Sequence, residues 1–82
     1  MIKSTTFESV RRLLTELGCT ERVVRNSFYL FEHESGAKFV FRLYKPSDSV
    51  TPADLLSLRY HLDMRGLLEP SAFEEWLQGV AV

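Results

Sequence analysis

The sequence has little of what most enzyme and metal-site motifs require. It contains one cysteine, Cys19, and only two histidines, His33 and His61. A single cysteine cannot form an internal disulfide, and no cysteine cluster exists to hold zinc. Glycine-rich phosphate loops, Gly-x-Ser-x-Gly elbows and paired helix histidines are also absent. The sequence therefore predicts neither a metal site nor a cofactor, and Cys19 is interpreted as a small, partly buried hydrophobic residue.

Long apolar runs and a large net charge are absent as well. No stretch approaches the roughly 20 apolar residues that a transmembrane helix needs, and residues 1–6 lack the apolar core of a signal peptide. We therefore expect a cytoplasmic protein. The formal charge of -1 is not that of a typical nucleic-acid-binding protein, so RNA binding would require a local basic patch. With 82 residues, 45% of them hydrophobic, the chain is expected to form a single domain over 1–82.

The first predicted element is an amphipathic helix. Thr5 and Glu8 have the spacing of a capping box, which predicts that the helix begins there. Apolar residues then recur at helical spacing, at Phe7, Val10, Leu13, Leu14 and Leu17. Gly18 provides a left-handed stop at the end of the helix.

Two short aromatic runs predict a β-hairpin. More than half of the aromatic residues lie in 27–32 and 38–44, which a turn at 34–36 connects. Residues 20–25 form a weaker third strand, predicted to lie at the sheet edge. In the second run, the residues predicted to face the core are Phe39, Phe41 and Leu43. The opposite face then carries Lys38, Val40, Arg42 and Tyr44.

A second helix is predicted after the hairpin. Thr51 is a suitable N-cap, Pro52 suits the first helical position, and Asp54 places an acid in the first turn. The predicted buried stripe consists of Leu55, Leu58 and Leu62. The helix is expected to end near Gly66.

A short third helix completes the predicted fold. Ser71 and Glu74 form a capping box that predicts its start, and Gly79 is the predicted stop. The expected class is α+β, with a three-stranded antiparallel sheet packed by helices in the order αβββα(α). Double-stranded-RNA-binding domains have this architecture.

His33 and His61 are the candidate general bases. A histidine can remove the proton of an RNA 2'-hydroxyl because its pKa lies near neutrality. In a strand, however, Glu32 and Glu34 point to the face opposite His33. Helical spacing likewise keeps the nearby aspartates off the face of His61. We interpret His33 as a solvated turn residue and His61 as a partly exposed structural residue.

Residues 6–78 resemble the HicA family of small toxins. In that family an N-terminal helix ends near a glycine and is followed by a strand with the pattern Gly-Ser-His-His-x-Tyr, a turn and a second strand. Residues 26–36 fit this pattern without a gap, with matches at Ser27, Phe31 and Gly36. Two later segments resemble the second helix start and the closing helix of the family, 50–55 and 71–77. The resemblance implies the double-stranded-RNA-binding-like fold, cleavage of messenger RNA and a partner antitoxin.

The chain departs from the HicA pattern at its catalytic position. The resemblance places the catalytic histidine at Phe28, and the next histidine of the pattern at Tyr29. Phenylalanine has no titratable group, and an unperturbed tyrosine titrates near 10, so neither suits proton abstraction at neutral pH. The resemblance therefore implies the fold without the ribonuclease activity.

We therefore expect a non-catalytic HicA-like domain that binds RNA or an antitoxin-like protein. The candidate contact residues are basic or aromatic: Arg25, Phe28, Tyr29, Lys38, Arg42 and Lys45. Cationic side chains would contact phosphates, and an exposed ring would stack on a base. One alternative is an active toxin that uses His33 or His61 as its base. Another is a structural domain that forms a homodimer through the aromatic hairpin face.

Overall fold

The computed structural model describes residues 5–80 and gives the element order α-β-β-β-α-α. The elements are α1 (Phe7–Glu16), β1 (Cys19–Val24), β2 (Phe28–His33), β3 (Lys38–Arg42), α2 (Pro52–Met64) and α3 (Pro70–Val80). The strands form one antiparallel sheet in the order β1-β2-β3, so β1 lies at an edge as predicted. The predicted α+β class and element order are confirmed. Within the described part of the chain, no helix is both long enough and apolar enough to cross a bilayer.

One face of the sheet and the three helices share a single hydrophobic core. Every helix and strand contributes at least one buried side chain to it. Phe7 of α1 lies at the centre of an aromatic cluster. Its ring centroid lies between 5.0 and 6.2 Å from four other rings, those of Tyr29, Phe31, Phe41 and Tyr44. Such pairs stabilise a fold by about 0.5–1.5 kcal/mol each beyond their buried area.

The end of β3 corrects one prediction about the core. Phe39 and Phe41 are buried as predicted, but Leu43 is 45% exposed and Tyr44 only 7%. The strand ends at Arg42, so the alternation of faces no longer applies to the next two residues. Tyr44 turns inward instead, and its ring stacks on Phe7 at 5.4 Å.

The start of α1 also differs from its prediction. The N-cap is Thr6 rather than Thr5, and its hydroxyl accepts a hydrogen bond from the backbone N–H of Ser9. The loop after β3 satisfies two further donors, because Phe7 N–H donates to Asp48 O and Glu8 N–H donates to Pro46 O. A tertiary contact therefore selects between two adjacent threonines that have equal capping ability.

Thr5 has a different role from the predicted cap. Its side chain is fully buried, and its hydroxyl donates to the backbone carbonyl of Val80 at 2.9 Å. The start of the described chain is thereby joined to the end of α3.

The remaining helix boundaries follow the expected chemistry except at the two ends of α3. Gly18 ends the first helical segment with a φ of +95°, and Thr51 caps α2, both as predicted. The predicted start of α3 at Ser71 and its predicted stop at Gly79 are both wrong, because the helix begins at Pro70 and continues to Val80. Proline suits a first helical position because the missing N–H has no helical acceptor there.

Candidate functional site: the outer sheet face

The side chains that alternate with the core-facing residues form what we call the outer sheet face. Strand pairing arranges them in three rows across the sheet: Val24, Phe28 and Arg42; Arg22, Leu30 and Val40; Thr20, Glu32 and Lys38. In the described chain, none of these residues belongs to the core that the helices share. The sheet therefore has one packed face and one face available to a ligand.

The centre of the outer sheet face is apolar. Leu30 lies in the middle of the middle strand and is only 9% exposed, although it is not part of the helical core. It is paired across the sheet with Arg22 and Val40, and Val40 is 59% exposed. Phe28 is half-buried in the next row. The strands themselves therefore supply an apolar patch without any covering helix.

Basic side chains outnumber acidic ones around this patch. Arg22 Nε lies 3.1 Å from Glu32 Oε1, and Arg42 Nε lies 3.7 Å from Asp54 Oδ2. Lys38 forms no ion pair with any residue between 5 and 80. Exposed ion pairs are weak, so an anionic ligand can compete for both arginines.

The turn between β1 and β2 has an unusual backbone. Arg25 and Asn26 have φ values of +49° and +53°, and Ser27 N–H donates to Val24 O at 2.8 Å. Two left-handed residues closed by this bond match a type I′ turn, where asparagine and glycine are favoured. Arginine in the left-handed region costs about 1 kcal/mol. The sequence thus keeps a cation in a strained position beside the row of Phe28 and Arg42.

The predicted contact residues do not all lie together. Phe28 and Arg42 are direct cross-strand partners, and the turn that carries Arg25 lies at the same end of the sheet. Lys45 is exposed and follows β3 at this end. Lys38 lies at the opposite end of β3, roughly 13 Å from Arg42 at the usual rise per strand residue.

Tyr29 lies on the helical side of the sheet, away from the other predicted contact residues. Its ring centroid is 5.0 Å from that of Phe7, and the guanidinium carbon of Arg11 lies 5.9 Å from it. Arg11 also donates two hydrogen bonds to Glu21, and this bonding, with the nearby carboxylate charge, raises the pKa of Arg11. Tyr29 therefore packs against α1, and its role in RNA binding stays a prediction.

The two histidines lie outside the outer sheet face. His33 Nδ1 accepts a hydrogen bond from Ser35 N–H at 3.1 Å and lies 2.8 Å from Ser35 Oγ. An accepting Nδ1 carries no proton, so this turn favours the tautomer with its proton on Nε2. His61 is exposed on α2 and lines a groove of about 210 Å³ between α2 and β3, together with Lys38 and Asp54. The prediction that no aspartate shares the face of His61 is wrong, because Asp54 lies about two helical turns before it and therefore on the same side of α2.

Cys19 matches its predicted role as a buried hydrophobic residue. It is a free thiol within the core, and burial raises its pKa. A raised pKa leaves little thiolate at neutral pH and makes the side chain unreactive. Between residues 5 and 80, no group of three or more His, Cys, Asp or Glu side chains is placed to hold a metal ion.

Sequence reasoning missed the apolar centre of the outer sheet face. Leu30 and Val40 were both visible in the alternation, since Val40 falls between the core residues Phe39 and Phe41. Their adjacency depends on strand register, which an isolated run does not reveal.

Comparison of the chain with family models, curated proteins and solved structures found no match. What the outer sheet face can bind must therefore be inferred from its own side chains. They are arginine, lysine, glutamate, threonine and apolar residues, and neither histidine nor cysteine is among them. This composition suits the binding of a ligand better than proton transfer.

Proposed function

We propose that the protein is a non-catalytic, HicA-like cytoplasmic domain that binds single-stranded RNA on its outer sheet face. The observation that carries this proposal is the strained turn residue Arg25 beside the paired residues Phe28 and Arg42. A ring and two cations at one end of a sheet provide a stacking surface together with phosphate contacts. A phosphate contact by Arg25 would explain why the turn contains arginine, although the left-handed backbone is unfavourable for this residue.

Lys38 and Lys45 extend the basic region in this proposal. Lys38 at the far end of β3 would contact a phosphate further along the strand of RNA. Successive phosphates in an extended single strand lie several ångströms apart, so the length of β3 spans a few nucleotides. The net charge of -1 predicts weak binding that is lost as salt rises.

The absence of catalysis is part of the proposal and rests on Phe28. In the HicA-like register this residue replaces the catalytic histidine, and a benzyl side chain cannot accept a proton. His33 is a poor substitute because Ser35 occupies its Nδ1. His61 is the stronger alternative base, since Lys38 lines the same groove and could hold a phosphate there.

An RNA-cleavage assay separates binding from a surviving ribonuclease. We expect no cleavage of single-stranded RNA by the purified wild-type chain. Cleavage that is lost in His61→Ala but retained in His33→Ala would instead assign the activity to the groove between α2 and β3. Cleavage retained in both variants would point to a contaminating nuclease.

A protein partner is the second candidate ligand, and the exposed side chain of Val40 favours it. Leu30 and Val40 have no role in contacting phosphates, yet they occupy the centre of the outer sheet face. An acidic, antitoxin-like protein with an apolar segment would cover this centre and pair with the surrounding cations. Its binding would depend on Val40, whereas RNA binding would depend on Arg25 and Phe28.

Fluorescence anisotropy with a labelled single-stranded RNA tests the RNA proposal. Binding should weaken with salt, and Lys38→Gln or Arg42→Gln should each reduce the slope of log K against log salt by about 0.7. Arg12→Gln is the matched control, because Arg12 is an exposed arginine on α1, outside the outer sheet face. No binding at low salt, or equal losses in Arg12→Gln and Arg42→Gln, would contradict the proposal.

A further inference from the structure

A second apolar surface lies on the exposed side of α2. Leu56, Tyr60 and Met64 follow one another at intervals of four residues and are 48%, 59% and 65% exposed. The buried residues of the same helix lie on its opposite side, at Leu55, Leu58 and Leu62. The helix is therefore apolar on two sides. We call Leu56, Tyr60 and Met64 the α2 stripe.

The α2 stripe is contiguous. At about 100° per residue, its three side chains fall within roughly 80° of one another around the helix axis. Residues four apart are neighbours on a helix surface, so they form a continuous ridge. A shallow groove of about 190 Å³ runs beside this ridge and is lined by Leu56, Arg59, Tyr60, Asp63 and Pro70. Ridge and groove lie side by side, as in surfaces that pack against another helix.

We propose that the α2 stripe binds a second copy of this chain, with the two α2 helices antiparallel. Tyr60 is the midpoint of the stripe, with Leu56 one turn before it and Met64 one turn after it. A two-fold axis beside Tyr60 therefore brings Tyr60 against its counterpart and Leu56 of one copy against Met64 of the other. The surface is self-complementary, which an isologous dimer requires.

Charges beside the stripe fit the same arrangement. Arg59 and Asp63 lie on one side of the stripe, one turn apart, and a two-fold axis at Tyr60 places Arg59 of each copy near Asp63 of the other. The Asp63 carboxylate makes no ion pair within 5–80. Arg59 Nε lies 3.2 Å from Glu74 Oε1 but forms no hydrogen bond with any described residue. Each copy would thus supply one cation and one anion to a pair of intermolecular contacts.

The size of the stripe sets the expected strength of association. Three partly exposed side chains present on the order of a few hundred Å² of apolar area, comparable to the largest patch on a typical monomer. Stable dimers bury about 800 Å² on each partner, so this contact alone predicts weak, concentration-dependent association. The inference concerns a surface separate from the outer sheet face and does not depend on RNA binding.

Sedimentation velocity on the full chain, extended to millimolar concentration, tests the proposal. We expect a reversible monomer–dimer equilibrium that Tyr60→Glu abolishes. Val40→Glu is the matched control, because Val40 is as exposed as Tyr60 but lies on the sheet. A wild-type chain that stays monomeric at the highest concentration overturns the proposal. So does an equal loss of dimer in the Val40→Glu control.

A charge exchange tests the antiparallel arrangement. Arg59→Asp or Asp63→Arg alone should weaken dimerisation about threefold or more, since either change removes both intermolecular pairs. The double variant restores the pairs with opposite sign and should recover wild-type association. Failure of the double variant to recover, with an unchanged circular dichroism spectrum, would overturn the arrangement.

Cysteine crosslinking locates the two-fold axis. Under mild oxidation Tyr60→Cys should form a covalent dimer, because two cysteines at the axis can reach the Cα separation of about 4.4–6.8 Å that a disulfide needs. Val40→Cys is again the control, and the buried Cys19 is common to both variants. Equal crosslinking of the two variants would place the contact elsewhere.

Discussion

The two faces of the sheet are built from the same strands but differ in their use. In β2 and β3 the inward residues Phe31, Phe39 and Phe41 are almost fully buried against the helices. The outward residues Leu30 and Val40 are equally apolar in type, yet none of the core helices covers them. In β2 and β3, parity along the strand therefore decides which apolar side chains pack against the helices. Four predictions test this difference, in order of decreasing effect on stability.

The largest expected effect comes from Phe31→Ala on the inward face. Phe31 is fully buried and contacts the rings of Phe7 and Phe41, so its truncation should cost about 3–5 kcal/mol. Leu30→Ala, one residue away on the outer face, should cost about 2 kcal/mol, at the low end for a buried leucine, because no core helix packs over it. Urea unfolding measures both. Equal costs would mean that the two faces are equally important for the fold.

Tyr44→Phe should have the next largest effect. The Tyr44 hydroxyl donates to Asp54 Oδ2 at 2.6 Å and accepts from Thr51 N–H at 3.2 Å, which joins the end of β3 to the start of α2. Removing the hydroxyl leaves Asp54 Oδ2 and the Thr51 N–H without this hydrogen-bond partner. The free energy of unfolding should fall by about 1–3 kcal/mol. Leu43→Ser is the neighbouring control and should change stability by less than about 0.5 kcal/mol. A similar result for both variants would count against the inward role of Tyr44.

Arg25→Asn should raise stability and weaken RNA binding. Asparagine tolerates the left-handed backbone better than arginine, so the free energy of unfolding should rise by up to about 1 kcal/mol. The same substitution removes a cation and should weaken RNA binding at low salt. Thermal unfolding and RNA titration together provide the readout. If the variant is no more stable than the wild type, or binds RNA equally well, RNA binding does not explain the strained turn.

Val40→Ser should have the smallest effect on stability. Its side chain is 59% exposed, so the unfolding free energy should change by less than about 0.5 kcal/mol. If a protein partner covers the outer sheet face, the same variant should nevertheless weaken capture of that partner. A large loss of stability would instead show that Val40 supports Leu30 as part of the fold.

Much of the fold could be predicted from local patterns. The stripe of α1, the glycine stop at Gly18 and the cap at Thr51 act within a few residues, and all three were predicted correctly. The errors occurred where contacts with a distant segment of the chain decide between two local alternatives. Thr6 rather than Thr5 caps α1 because the loop at Asp48 binds the first helical N–H groups.

The candidate site was only partly predictable for the same reason. Phe28 and Arg42 were both among the predicted contact residues, but their direct pairing depends on the register of β2 against β3. Tyr29 was predicted as a contact residue because an exposed ring can stack on a base, but adjacent strand residues point to opposite faces and the Tyr29 ring packs against Phe7. The second apolar side of α2 was overlooked because the buried leucines already accounted for a helical stripe.

The sequence by itself determined the order of helices and strands and the aromatic composition of the core. These depend on spacing and residue type, which are local properties. Only the tertiary structure decided that Tyr44 is inside and Leu43 outside, that Leu30 and Val40 form a patch, and that the α2 stripe remains uncovered. Burial and exposure depend on which segments pack together, and that is a property of the whole fold.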